Sequence, residues 1–486
     1  MLNRQIKIQF SEYSGLYDIL IPQDHQLRRF LSLIDFSFVY DELSKKYCPD
    51  NGRVANDPVM MFKYLVLKAL SGLSDEKLVE RSRYDLSYKF FLGLMPEDNV
   101  IDSSSLTRFR RQRLADVDIL DLLLNKTVEV AKEFTLIDGK TIIVDATHTL
   151  SKSSPLNQVE SLQKKSKELR KRIYLVDESL KSAMPQKYEG TDLAKEIDYV
   201  KDLIKYTTGN QKLALKEDIS EVASLLTEMV SDIEDHYTIS NDKDARVGHK
   251  TANSEFFGYK THIAMTPERI ITAATITSGE KGDGPELPDL IDKTKKLLPD
   301  LERVVGDGAY AGQHNLENAE ENHIEIVAKV NPKLFDGSDD EKNGFTYNKD
   351  ADRVVCPAGH LSYGPGRCKD KSGNDRITFN FSKKACRVCA LRKTCISGKG
   401  IYKKISFPIK TEQQKKQIQF MDTEEFKRWS RERYKIEAKN AELKHAYGYV
   451  EALYYGITGL KIQGAVALFT CNLSRIIRLL DEKSGK

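Results

Sequence analysis

Three acidic residues occupy settings from which they could do chemistry together: Asp145 in IIVDATHT, Asp307 in RVVGDGAYAG and Glu437 in RERYKIEAKNAELK. The aspartates close apolar, β-branched runs, and the glutamate lies in a helix-favouring stretch. Carboxylates gathered from such settings bind hard divalent cations, which take oxygen ligands and keep several waters. Two Mg²⁺ (or Mn²⁺) ions about 4 Å apart line up an attacking oxygen against a phosphodiester and neutralise charge at the phosphorus. The chemistry predicted is metal-dependent phosphoryl transfer on a nucleic acid. Each acid alone has an ordinary alternative: a tight turn at GDG, a strand-ending cap at VDAT, a solvated helix face at Glu437. His148, three residues after Asp145, is a candidate supporting group.

The net charge of +4 says little about partners, but its distribution says more. Residues 361–435 hold 20 Lys and Arg against 7 Asp and Glu, a local +13 that leaves −9 for the rest. Such a basic stretch is the electrostatic footprint of phosphate-backbone contact.

The elements that must position the acids follow from periodicity. Residues 136 onward predict five strands, at IIV before Asp145, FFGYKTHIAMT, RIITAATITSG, ERVVGDGAY and IEIVAKV, with helices at PELPDLIDKTKKLL and HNLENAEENH. That order predicts an α/β fold with a mixed five-stranded sheet flanked by helices and a much later helix carrying Glu437. On that helix Arg433, Glu437 and Lys444 fall at i, i+4 and i+11, one narrow stripe, while Trp429, Ile436 and Leu443 recur every seven residues beside it.

Four segments are expected. Residues 1–120 form an all-α N-terminal domain: an apolar helix through Met60 to Leu70, a second opening at Ser74, and a third capped by Ser103, Ser104 or Ser105. The third carries Arg108, Arg110, Arg111 and Arg113, as helix-turn-helix-like DNA contact requires. The catalytic core takes 136–157, 239–331 and 424–480. Residues 158–238 interrupt it with heptads (Leu162, Leu169, Ile173, Val176, Leu180; Leu193, Ile197, Val200, Ile204; Leu215, Ile219, Val222, Leu226, Met229, Ile233) that predict antiparallel, coiled-coil-like helices. Residues 332–423 hold five of the seven cysteines. Cys386, Cys389 and Cys395 in CRVCALRKTC, with Cys356 upstream in VVCPAGH, have the spacing of a tetrahedral Zn²⁺ site, with His360 or Cys368 able to replace one ligand. No apolar run reaches the ~20 residues of a membrane span. The N-terminal MLNRQIKIQF lacks a signal-peptide core, so a cytoplasmic location is expected.

VDATHT, GDGAYAG and the R-x3-E-x6-K of the C-terminal stretch resemble the DDE transposases of bacterial insertion sequences. SFVYDELSKKY through DPVMMFKYLVLKALSGLSDEKLVE resembles their InsH-type N-terminal domain. The resemblance implies a ribonuclease H-like catalytic core, a triad of Asp145, Asp307 and Glu437, and Arg433 and Lys444 on terminal DNA phosphates. It departs at Ser430, where the family has Tyr, and this puts in question whatever that Tyr contributes near the DNA end. The function expected is a DNA transposase that binds terminal inverted repeats and catalyses strand cleavage and strand transfer. It would act on double-stranded DNA as a homodimer or higher oligomer. The competitors are a ribonuclease H-fold nuclease or resolvase without strand transfer, and a non-catalytic zinc-dependent DNA-binding regulator.

Overall fold

In a computed structural model of the chain, the described residues are 11–48, 54–153, 158–234, 242–251, 254–330, 344–348, 353–369, 375–396, 400–408 and 411–485. The N-terminal stretch read for a leader, residues 1–10, lies outside them. The chain divides into two compact units, one of residues 1–139, 145–300 and 435–486, the other of residues 140–144 and 301–434.

The first unit begins with short helices whose ends the sequence dictates. Asp57 caps Pro58–Ser71 by accepting from the Val59 N–H, proline sits where an N–H would go unbonded anyway, and left-handed Gly72 stops the helix. Ser74 caps Asp75–Tyr84 through the Lys77 N–H, with acids in the first turn and arginines in the last, as the helix dipole favours. The third helix, Ser104–Phe109, starts within DSSS rather than after it, and Ser103 at its N-cap makes no capping bond. Asp102 takes that role, accepting from the Ser104 N–H at 2.9 Å. The helix then runs into a π-helical turn, Arg110–Leu114. These helices close over the long C-terminal helix Gly456–Ser484, whose Phe469 ring lies 6.1 Å from Phe36 and 5.7 Å from Phe62.

The unit's strands are the latter half of β1 (Thr141–Leu150), β2 (Arg246–Thr251), β3 (Ser254–Met265) and β4 (Ile271–Ser278). β3 pairs antiparallel with both β2 and β4, and its other neighbour is β1. A Cβ at Gly258 would stand 2.1 Å from the Thr149 carbonyl oxygen, so only glycine lets β3 approach β1 this closely. β2 is a strand beyond the five expected.

The heptads form three helices, Gln158–Val176, Leu193–Gly209 and Glu217–Glu234. They share a core of their own that includes Leu162, Leu169, Ile173, Val200, Ile219, Val222, Leu226 and Ile233. Val176 and Leu215, at 40% and 83% exposure, do not join it. Val176 is the last residue of its helix, and Leu215 falls in the break before Glu217, where the period no longer holds a side chain inward.

In the second unit the first residues of β1 pair in parallel with β5 (Arg303–Val305), which pairs in parallel with β6 (Glu325–Val327). After these come a hairpin, Thr346–Asn348 with Arg353–Val355, and an antiparallel sheet of Gly366–Lys369, Asp375–Asn380 and Lys404–Pro408. Helices Glu412–Met421 and Glu424–Arg431 end the unit, the first opened by a full capping box between Thr411 and Gln414.

The single late helix expected around Glu437 is in fact two. Glu424–Arg431 stops, Glu432 and Arg433 form a turn, and Tyr434–Ala446 begins afresh. Arg433 therefore lies in the break, and its stripe with Glu437 and Lys444, which assumed one continuous helix, does not form as expected. The chain passes from one unit to the other at Tyr434 and Lys435.

Candidate active site

Asp145 is half-buried where β1 leaves its fully buried run Thr141–Val144. Helix Tyr434–Ala446 lies against it. Asn440 donates from Nδ2 to Asp145 Oδ2 at 3.0 Å, and one turn on Lys444 Nζ lies 3.5 Å from His148 Nδ1. Ile436 and Leu443 are fully buried and fix the rotation of the helix. Glu437, three residues before Asn440 and seven before Lys444, belongs to the face turned toward β1 and is exposed there. Glu442, on the same helix, is occupied elsewhere. Its carboxylate pairs with Lys439 at 3.0 Å, Arg269 at 2.8 Å and Arg478 at 3.1 Å. Despite burial, these cations hold it below the usual carboxylate range.

His148 is a neutral neighbour. Burial, then Lys444, Lys250 and Lys260, pushes it down to about 4. Burial also takes His262 down to about 4, with Lys260 adding to the fall and Asp283 opposing it. Both are depressed bases, so unfolding at mildly acid pH takes up protons that the folded state refuses. Their contribution to stability is complete above the unfolded value near 6.5 and is lost as pH falls toward 4. The urea midpoint should drop steadily from pH 6.5 to 4.5, and a His148→Gln, His262→Gln double variant should lose most of that slope. A flat wild-type midpoint across this window would refute both assignments.

Asp307 belongs to the second unit. It follows β5 and caps the short turn Gly308–Ala311, its Oδ1 accepting from the Ala309 N–H at 2.9 Å. The turn reading of GDG is thus correct as structure, and it fixes the carboxylate's direction. A Cβ on Gly306 would sit 2.7 Å from the Tyr310 ring and 3.0 Å from Val144, which explains the glycine before the acid. β1 and β5 run in register, Ile143 opposite Val305. Each aspartate comes two residues after its member of that pair.

Two family models match the chain: a transposase domain (DUF772) over residues 16–112 and a transposase DDE domain over residues 355–477. Both matches are to transposase domains, and together they support a DDE transposase of insertion sequences. No curated relative matches it. Glu437 and its helix fall inside the second match, whereas Asp145 and Asp307 lie between the two. Transposases act on DNA, and the DDE family generally uses divalent metal ions.

Within the transposase's N-terminal match, the arginines separate. Arg108 and Arg111 are exposed. Arg110 is not: it is 7% exposed, pairs with Asp75 at 2.5 Å and stacks 4.6 Å from the Tyr454 ring centroid. Its assignment as a DNA contact is corrected accordingly, because its guanidinium is spent inside the protein. Arg113 stacks over Tyr47 and donates to the Lys46 carbonyl.

In the cysteine-rich segment, Cys356, Cys386, Cys389 and Cys395 line one cavity of about 30 Å³, with His360 among its other walls. Burial and the three neighbouring thiols push the Cys395 thiol up, opposed by Lys403. Cys368 stands apart on the three-stranded sheet, in contact with Thr378 Oγ1 at 3.1 Å. None of the cysteines is in a disulfide. No group of three or more His, Cys, Asp or Glu among the described residues is assembled as a ready metal site. No described helix is long and apolar enough to cross a membrane.

Sequence reasoning passed over Asn440. Its spacing of three from Glu437, on the same helix face, was the available signal.

Proposed function

We propose that this transposase binds the inverted-repeat ends of its element and cuts and joins DNA strands at a site made by Asp145, Asp307 and Glu437. The observation that carries the reading is the seating of helix Tyr434–Ala446 on β1, through Asn440 to Asp145 and Lys444 beside His148, with Glu437 on the same face. The register of β1 with β5 supports Asp307 as the second aspartate. The order of strands and helices is compatible with a ribonuclease H-like core.

In this reading the three carboxylates would hold two Mg²⁺ or Mn²⁺ ions, which would supply Lewis acidity to the attacking and leaving oxygens. The chain's own part is positional and electrostatic. Asp307 is pre-aimed by its cap. Lys444, held half-buried beside neutral His148, offers a cation to a DNA phosphate, and Arg433 offers another from the turn before the helix. Arg108 and Arg111 are left as the N-terminal backbone contacts. Water attacks first and frees a 3′-hydroxyl at the element end; that hydroxyl then displaces a target-strand oxygen in a second in-line step. A DNA fragment carrying the element end should be nicked at its terminus with Mg²⁺ and bound without cutting with Ca²⁺. Cutting that ignores the end sequence would favour the nuclease reading. The assembly expected on DNA is a homodimer or higher oligomer.

For the cysteine cavity the proposed occupant is a structural Zn²⁺ held by Cys356, Cys386, Cys389 and Cys395. Four soft donors around one small space suit that ion, and such sites close only as the ion binds. Purified protein should carry about one zinc per chain, and Cys386→Ser with Cys389→Ser should lose it. Zinc far below that ratio in protein purified without chelators would exclude the site.

A further inference from the structure

Asn440 makes half of the hydrogen bonds its amide needs. Its Nδ2 is spent on Asp145 Oδ2 at 3.0 Å. Its Oδ1 is buried and finds no donor among the described residues. Reversing the amide would not help, because that would set the carbonyl oxygen against a carboxylate oxygen, acceptor to acceptor. The chain therefore keeps an unsatisfied acceptor beside Asp145, a feature that is costly where it stays unsatisfied. The sign of the orphan matters. Water bound to a divalent cation turns its lone pair to the metal and presents only O–H donors outward, so a cation site needs acceptors around its carboxylates. Orphaned donors would not serve. The neighbouring Lys444 and His148 do not compete for this role, since the lysine is a donor only and their contact is with each other at 3.5 Å.

We propose that Asn440 is a positioning residue of the metal site: its N–H fixes the rotation of the Asp145 carboxylate, and its carbonyl accepts from a water in the cation's shell. This rests on the reading of Asp145 as a metal ligand. Groups that orient a ligand in this way typically change metal affinity by about 10–100-fold when removed. Acting through Asp145, Asn440 is expected to set cation affinity, so its loss weakens cation binding without removing the chemistry.

The test uses the full chain, with Mn²⁺ as the probe and binding read from the electron paramagnetic resonance of free Mn²⁺. Asn440→Ala removes the amide, and Asn440→Leu removes it while filling its space. Both should weaken Mn²⁺ binding about 10-fold or more at an unchanged melting temperature, and saturating Mn²⁺ should restore DNA cleavage. Affinity within about twofold of the parent in either variant, or a loss confined to Asn440→Ala or accompanied by a lowered melting temperature, overturns the proposal and marks a packing residue. Asp145→Asn run alongside separates the two ideas. If it keeps both Mn²⁺ binding and cleavage, the underlying site reading fails; if it loses them while the Asn440 variants bind normally, only the role given to Asn440 fails.

Discussion

Replacing Asp145 by Asn, Asp307 by Asn or Glu437 by Gln should lower Mg²⁺-dependent cleavage of element-end DNA by about 10³-fold or more, roughly 4 kcal/mol of transition-state stabilisation. Each change keeps size and removes a negative charge that the cations need. Binding of the same DNA in Ca²⁺ should be unchanged, because none of the three acids contacts DNA favourably on its own. Pairing two of the substitutions should cost little beyond one, since the acids act as a unit. Glu442→Gln is the informative contrast. That carboxylate is held by Lys439, Arg269 and Arg478, so its loss should lower stability and leave the cleavage rate of folded protein near the parent's. If Glu442→Gln abolished cleavage while Glu437→Gln did not, the rotation assigned to helix Tyr434–Ala446 would be wrong.

The second large effect falls on stability. Arg110→Ala should destabilise the transposase by about 3 kcal/mol, the low end for breaking a buried ion pair, because Lys68 remains 2.6 Å from Asp75 and still covers part of its charge. Lost stacking on Tyr454 adds to this. Arg108→Ala and Arg111→Ala, at exposed positions, should leave the urea midpoint nearly unchanged and weaken DNA binding, most visibly at low salt. Unchanged stability in Arg110→Ala, with weakened DNA binding instead, would return Arg110 to the DNA-contact set.

These contrasts show what the amino-acid pattern alone could reveal. β1, β4, β5 and β6 were legible because each buries a β-branched run, and β3 because it buries Phe256, Tyr259, Ile263 and Met265. β2 was not, because RVGHKT carries Arg246, His249 and Lys250 and, among the described residues, pairs only with β3, so no apolar signal marks it. The break at Glu432–Arg433 was hidden for the opposite reason. No glycine or proline interrupts WSRERYKIEAK, and the heptad from Trp429 to Ile436 fits a straight helix. The break comes where the chain changes units, a tertiary fact with no local marker. Arg110 looked like its neighbours because its partner Asp75 stands 35 residues away.

The most direct test of the central claim is a joining assay. Pre-nicked, end-labelled element-end DNA bearing a 3′-hydroxyl is incubated with the transposase, Mg²⁺ and a supercoiled target plasmid. The account predicts label covalently attached to the plasmid through that 3′-hydroxyl, lost in Asp145→Asn and when the 3′ end lacks its hydroxyl. Efficient cutting of the ends with no label joined to plasmid under any divalent cation would contradict it, and would mark the protein as a nuclease.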